Sequence, residues 1–308
     1  MVQHDAVAAL PPGIDADARQ VSSGARRAVE SFRGMGTADV IHGLDVDLPV
    51  RPGAPTVATV HDLSVFDVPW AFSPVRARGE QLLVTQALKR ATRIIAVSDF
   101  TAGRIRERFG LDATVTHLAP QPGMTPASTA EVDAVREKYN LPETCLLHVG
   151  TIEPRKNVAG VIAAAKTLGV PVALAGAQLE DVPGLDHPLV QQLGYVDGAD
   201  LAALYGAATV VVYPSRYEGF GLPPIEAMAC GAAVVATSVG ALPEVLDPST
   251  LIDPEDNEAL VETLRGLLAD DAARSAWARA GRDHADQLSW TDTADKTLDV
   301  YRSLGLNL

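Results

Sequence analysis

The chain of 308 residues contains only two cysteines, Cys145 and Cys230, in unrelated contexts. That scarcity excludes a disulfide scaffold and a cysteine-based zinc site, and it fits a reducing, cytoplasmic compartment. Long apolar runs are also missing: none approaches the ~20 residues that a membrane-spanning helix needs. The opening MVQHDAVAALPPG has neither the basic start nor the apolar core of an export signal. Positive charge is in deficit, with a formal net charge of -14. The deficit is local: residues 1–125 hold 13 Lys/Arg against 13 Asp/Glu, whereas residues 126–308 hold 12 against 26. Such a chain is a poor nucleic-acid binder, because that binding depends on neutralising phosphates. A dinucleotide fingerprint is absent as well. GMGTAD (34–39) lacks the third glycine and follows no strand, which argues against a nicotinamide oxidoreductase.

What the chain does have is alternation. Short Val/Ile/Ala-rich runs at 56–60, 93–97 and 114–118 predict strands, with helices at 75–91 and 99–109 between them. The proline-rich LAPQPGMTPAST (118–129) reads as a hinge. The alternation then resumes, with strands at 145–149, 171–175, 189–193, 209–213 and 232–236. Helices are expected at 157–167, 199–206, 224–230, 255–269, 271–287 and 291–304. Near-continuous apolar strands between helices indicate parallel sheets covered on both faces. The expected architecture is α/β, with two doubly wound Rossmann-like domains facing a cleft. The boundaries fall at 1–122 for a short N-terminal domain, 123–288 for the C-terminal domain and 289–308 for a terminal helix. The first fifty residues offer one weak strand, DVIHG (39–43), and one helix, 25–32, so the N-terminal domain looks short by a strand–helix unit. The size suggests two cores, since single ones rarely grow past ~250 residues.

In doubly wound sheets, ligands gather at the carboxyl ends of the strands. Three loops of the C-terminal half stand out. VGTIEPRKN (149–157) runs from a strand to Asn157, a good helix cap, with Arg155 and Lys156 just before the helix. That arrangement suits an anion, most naturally phosphate; the plain alternative is two exposed basic residues. PSRYEGFGLPPIEAMACG (214–231) carries Glu218 and Glu226 on either side of a glycine turn. Its helix is expected to begin near Pro224 and to end at Gly231, which places Glu226 in the first turn, where an acid also simply complements the helix dipole. Glu218 could equally be an exposed turn residue near Arg216. Together the two acids and the backbone donors of the turn suit a ligand with many hydroxyls and a diphosphate. LGYVDG (193–198) could hold a flat base against Tyr195 and Val196. In the N-terminal half, His61 and Asp62 follow a strand. Ser98 reads as a helix cap, and Asp45-Val46-Asp47 as a surface loop rather than a metal-binding triplet. The arginines of residues 76–108 form a solvated helix face or, on the sharper reading, a contact with an anionic membrane surface or a phosphorylated acceptor.

At this point VGTIEPRKN together with PSRYEGFGLPPIEAMACGAAVVAT resembles the donor site of the family 4 retaining glycosyltransferases, which have the GT-B fold. HDLS (61–64), AVSDFT (96–101) and SWTDTADKTLDVYRSL (289–304) match too, so the resemblance spans roughly residues 38–304. It implies that Arg155, Lys156 and Gly150 hold the donor diphosphate and that Glu226 takes the ribose. It implies that Glu218, Gly219, Phe220, Gly221 and His61 meet the transferred sugar, with Glu218 and His61 nearest the chemistry. Tyr195 and Val196 would meet the base. No metal and no cofactor are expected, only a nucleotide-diphosphate sugar as donor and a glycan or lipid-linked acceptor. Peripheral contact with the inner face of a membrane would run through residues 76–108. The HDL and EPRKN forms of the motifs lean toward mannosyl- or rhamnosyl-type transfer. The terminal helix would return to the N-terminal domain.

Two departures stand out. Relatives often carry an arginine where this chain has Thr151, and they open with a strand and a glycine-rich loop that this sequence does not show. The alternative reading is therefore a catalytically weak nucleotide-sugar-binding subunit of a transferase complex. A GT-B epimerase or phosphorylase ranks lower, because the glycine turn with its two acids argues against it.

Overall fold

Runs of branched apolar residues decide both sheets of the computed structural model, which describes Ile14 and residues 38–254 and 256–306. The expected helix at 25–32 lies outside the described residues. The chain breaks into two units after Leu118; the second ends at Leu288, and the stretch from Ser289 belongs with the first.

Among the described residues, the first unit holds four parallel strands in the order β1-β2-β3-β4: Ile41–Gly43, Thr56–Val60, Arg93–Ala96 and Thr114–Val115. TVATV is buried at every position, as a central strand covered on both faces requires. The strand expected at 114–118 closes after two residues. From Thr116 the chain leaves the sheet, with its N–H donating to the Ala96 carbonyl at 2.9 Å. Three helices precede or follow these strands: α1 (Ser64–Asp67), α2 (Pro74–Arg90) and α3 (Asp99–Phe109). Ser98 caps α3, its Oγ accepting from the Thr101 N–H at 3.1 Å.

The last helix, Trp290–Arg302, packs on this same unit. Its Leu298, Val300 and Tyr301 bury against Val57 and Ile95. The Thr293 hydroxyl donates to the His117 carbonyl, and the Tyr301 hydroxyl meets His42 Nδ1 at 2.7 Å. The other nitrogen of His42 meets Thr59 Oγ1 at 2.8 Å, so β1, β2 and the terminal helix share one polar staple.

The second unit holds six parallel strands in the order β10-β9-β8-β5-β6-β7. They are β5 (Leu146–Val149), β6 (Val172–Ala175), β7 (Val190–Gly194), β8 (Val210–Tyr213), β9 (Val234–Thr237) and β10 (Leu251–Ile252). Its helices continue the count as α4 (Thr129–Lys138), α5 (Val158–Leu168), α6 (Gly198–Ala207), α7 (Leu222–Ala229), α8 (Leu242–Val245), α9 (Asn257–Ala269) and α10 (Asp271–Ala285), and the terminal helix is α11. Part of the stretch read as a hinge initiates α4 through a capping box: Ser128 accepts from Glu131 N–H while the Glu131 carboxylate accepts from Ser128 N–H. One core cluster runs from Leu146 and Val172 on the sheet to Val161 on α5 and to Leu260 and Leu264 on α9. Both cysteines are buried and free.

His148 lies at the centre of that sheet with no exposed surface. Its Nδ1 donates to the Val212 carbonyl at 3.0 Å. Burial, reinforced by the nearby Lys156 charge, pushes its pKa down to about 4. The unfolded chain therefore takes up a proton near 6.5, whereas the folded one waits until about 4. Stability is fully present above that window and is lost as pH falls through it. The loss attributable to this residue is about 3 kcal/mol. Urea titrations at successive pH values should show that decline, and His148→Gln should flatten it whatever its effect at pH 7.5. An unchanged slope in the variant would remove His148 as the cause.

Candidate active site

Strand order locates the site within the second unit. From β5 the chain moves out through β6 and β7 to one edge; β8 returns beside β5 and leads through β9 to β10 at the other. The loops leaving β5 and β8 therefore diverge from neighbouring strands, and their carboxyl ends form the crevice where open α/β sheets bind ligands. The Tyr213 hydroxyl ties the two strand ends together by donating to the Val149 carbonyl at 2.5 Å.

The loop from β5 starts at Gly150, whose N–H donates to the Ala175 carbonyl at 2.8 Å. It passes so close to the end of β6 that a Cβ on Gly176 would lie 1.9 Å from the Gly150 carbonyl oxygen. Pro154–Lys156 then make one tight turn into α5. Asn157 occupies the cap position in a left-handed conformation, φ 51°, and its side chain makes no capping bond. The expected side-chain cap is thus corrected: the turn imposed by Pro154, not the amide, starts this helix.

The loop from β8 lies alongside. Arg216 N–H donates to the Arg155 carbonyl at 2.9 Å, and the Arg155 guanidinium donates to the Tyr217 carbonyl at 3.2 Å. These bonds bring Glu218 onto Lys156, whose ammonium donates to Oε1 at 2.6 Å. Ser215 Oγ donates to the same oxygen at 2.7 Å. Arg155 is shared, with Nη2 on Glu153 at 2.7 Å and Nη1 at 3.7 Å from the other Glu218 oxygen. Lys156 and Glu218 are 9% and 6% exposed, so neither the pair of exposed basic residues nor the exposed turn acid describes them. Burial by itself would push the Glu218 pKa up. The Lys156 and Arg155 charges and the bonds from Lys156 and Ser215 outweigh it and hold the carboxyl below its ordinary value.

Helix α7 begins at Leu222, two residues earlier than expected, because Gly221 serves as its cap position. Glu226 is therefore the fifth helical residue and lies beyond the first turn. It is buried, as is the side chain of Phe220, so Phe220 can offer a ligand only its backbone. Tyr195, just past the end of edge strand β7, is 77% exposed; Val196 next to it is half-buried.

In the first unit, His61 Nε2 donates to the Leu44 carbonyl at 2.8 Å. Asp62 Oδ1 accepts from both the N–H and the hydroxyl of Ser64, fixing α1. The Asp45-Val46-Asp47 segment is a loop, as expected, but one anchored by its middle residue. Val46 and Leu48 bury into the unit, and the two acids are half-exposed.

Sequence reasoning missed a further loop, residues 238–241, which leaves β9 at Thr237. Gly240, at φ +57°, lies against Glu218 so closely that a Cβ would be 2.1 Å from the Glu218 carbonyl oxygen. Ala241 N–H donates to that oxygen at 3.0 Å. Thr237 Oγ1 donates to the Ser215 carbonyl. The legible signal was a glycine just past a buried strand, followed by Leu-Pro.

The chain has the GT-B fold, and solved structures similar to it include glycosyltransferases. The sucrose-phosphate synthase of Thermosynechococcus elongatus superposes with a TM-score of 0.73 at 26% identity, over 86% of this chain and 73% of that one. Anabaena HepE, solved in complex with UDP-glucose, gives a TM-score of 0.73 at 20% identity, over 86% and 79%. Two family models match: "Glycosyltransferase Family 4" over residues 3–122 and "Glycosyl transferases group 1" over residues 131–284. Among curated proteins, O-antigen chain mannosyltransferase B of Escherichia coli is 36% identical over 284 residues, 86% of this chain and 74% of that protein. The chain belongs to the family 4, group 1 glycosyltransferases and is a transferase enzyme.

The close approach at Gly240 predicts a graded result. Gly169 also has positive φ, +66°, but open space where a Cβ would go. Gly169→Ala should cost about 1–2 kcal/mol for the left-handed backbone alone. Gly240→Ala should cost clearly more, since the backbone of Glu218 must also move. Equal losses on chemical unfolding would show that the clash is relieved cheaply.

Proposed function

We propose that this chain is a retaining glycosyltransferase that moves a sugar from a nucleotide-diphosphate sugar to a glycan or lipid-linked acceptor without a metal ion. The observation that carries the reading is the contact between Lys156 and Glu218 at the switch point of the second unit. A cation suited to phosphate and an acid suited to sugar hydroxyls are within one hydrogen bond of each other. In a nucleotide sugar the diphosphate and the sugar are likewise adjacent, joined through the oxygen on the anomeric carbon. On this reading Lys156 and Arg155 take the diphosphate, and their charge steadies it as leaving group; Gly150, whose N–H serves the Ala175 carbonyl, is kept on the motif alone. Glu218 takes the sugar, helped by the N–H groups of Gly219, Phe220 and Gly221. Glu226 takes the ribose, and Tyr195 with Val196 the base. His61 is kept as a sugar contact on the motif alone, since its ring nitrogen serves Leu44. Mannosyl transfer is favoured because the E. coli relative is an O-antigen chain mannosyltransferase, and a nucleotide sugar because HepE holds UDP-glucose.

Thermal unfolding against GDP, UDP, ADP and dTDP and their sugar conjugates tests the donor. A ligand at ~100 times its dissociation constant adds about 2.7 kcal/mol of stability. Glu218→Gln should abolish transfer while leaving stabilisation by the bare diphosphate. Loss of both would move Glu218 away from the sugar.

No helix among the described residues is long and apolar enough to cross a membrane. Around α2, however, Trp70, Val75 and Leu82 are 55%, 84% and 60% exposed. Val75, Arg78 and Leu82 recur at helical spacing on one face, with Arg76 exposed beside them. We place the peripheral membrane contact here, on anionic lipid. Co-sedimentation with phosphatidylglycerol vesicles but not with neutral ones is expected, weakened several-fold by Trp70→Ala with Leu82→Ala. Indifference to lipid charge would refute it.

A further inference from the structure

The pair that marks the site also creates a difficulty for a ligand. Lys156 and Glu218 already neutralise each other, at 2.6 Å and nearly out of water. A diphosphate that takes Lys156 brings its own negative charge to the same place. Arg155 offers little relief, because its guanidinium is divided between Glu153, the Tyr217 carbonyl and the far oxygen of Glu218. Resting on the functional reading above, we propose that Lys156 and Glu218 change partners when the nucleotide binds. The diphosphate claims the ammonium, and Glu218 then takes a sugar hydroxyl or, when the nucleotide carries no sugar, a proton from solvent.

The direction follows from what surrounds the carboxyl. Burial pushes the Glu218 pKa up, and only the charges of Lys156 and Arg155 and the bonds from Lys156 and Ser215 pull it down. Sharing Lys156 with an anion weakens the largest of the opposing contributions, and the added negative charge acts in the same sense as burial. Two other described groups feel the Glu218 charge, and neither is a cation. His148 on β5 is neutral, its pKa pushed down to about 4, and Tyr213 on β8 is an uncharged phenol. Hydroxyls of a bound sugar behave differently: they donate to the carboxylate and stabilise its charged form. The site thus distinguishes the intact donor from the spent nucleotide by the protonation state of one acid, and the neutral form belongs to the product complex.

Calorimetry of the best-binding diphosphate among GDP, UDP, ADP and dTDP, repeated in buffers of different ionisation heat near pH 6, counts the protons. The nucleotide's own phosphate also titrates, so the comparison is between proteins. Wild type should take up as much as about one proton more per nucleotide than Glu218→Gln. The excess of wild type over Glu218→Gln should be larger with the bare diphosphate than with its sugar conjugate, since the variant carries the same ionisation of the nucleotide's own phosphate. As pH is lowered, the wild-type affinity for the bare diphosphate should rise relative to the variant's by up to about tenfold per unit. Tight binding of the bare diphosphate with the same proton count in both proteins would overturn the exchange while leaving the functional reading intact. A wild type that binds none of the four would sink that reading, and the exchange with it.

Discussion

The buried ion pair between Lys156 and Glu218 is the constraint around which the second unit is arranged. Neither charge could stay nearly out of water alone; each is tolerated because the other is at hydrogen-bond distance. Three loops from three strands cooperate to keep it so. The turn after β5 presents Lys156, the segment after β8 presents Glu218, and the loop after β9 holds the Glu218 backbone through Ala241 and the close approach of Gly240. A buried pair of this kind is weak evidence for stability, since apolar residues of the same volume often do as well. Its persistence at the carboxyl ends of the central strands points to function.

Sheet topology supplies the place for that pair. Because β8 returns beside β5, the two loops that carry the charges emerge side by side from neighbouring parallel strands. The tie between Tyr213 and Val149 and the bond from His148 to Val212 fix the strand ends beneath them. The first unit solves a separate problem. Its four strands are covered in part by a helix from the far end of the chain, held by Leu298, Val300 and Tyr301 and by the polar contacts of His42 and Thr293.

Much of this was legible from the residues in order. The apolar runs located every described strand except the two-residue edge strand β10, and proline, glycine and serine marked most helix ends. The errors have local causes. The capping box at Ser128 and Glu131 was absorbed into a proline-rich stretch. Glu226 was placed two residues too near the helix start because Pro224 was taken as the start of a helix that Gly221 caps. Asn157 has the composition of a cap, but the tight turn before it puts its backbone where the side chain cannot serve.

By itself the sequence determined the α/β class, the two parallel sheets and the identity of the residues with chemistry to offer, because periodicity, capping and motif spacing are properties of neighbouring positions. Through the family resemblance it implied that Lys156 and Glu218 serve different parts of a ligand. Only the tertiary structure decided that they are first partners of each other, and that Gly240 is what keeps Glu218 in place. Contacts between residues 62 positions apart, or across the loop ends of β8 and β9, depend on strand order and register. Those are set by how whole helices and strands pack, which no local stretch of residues encodes.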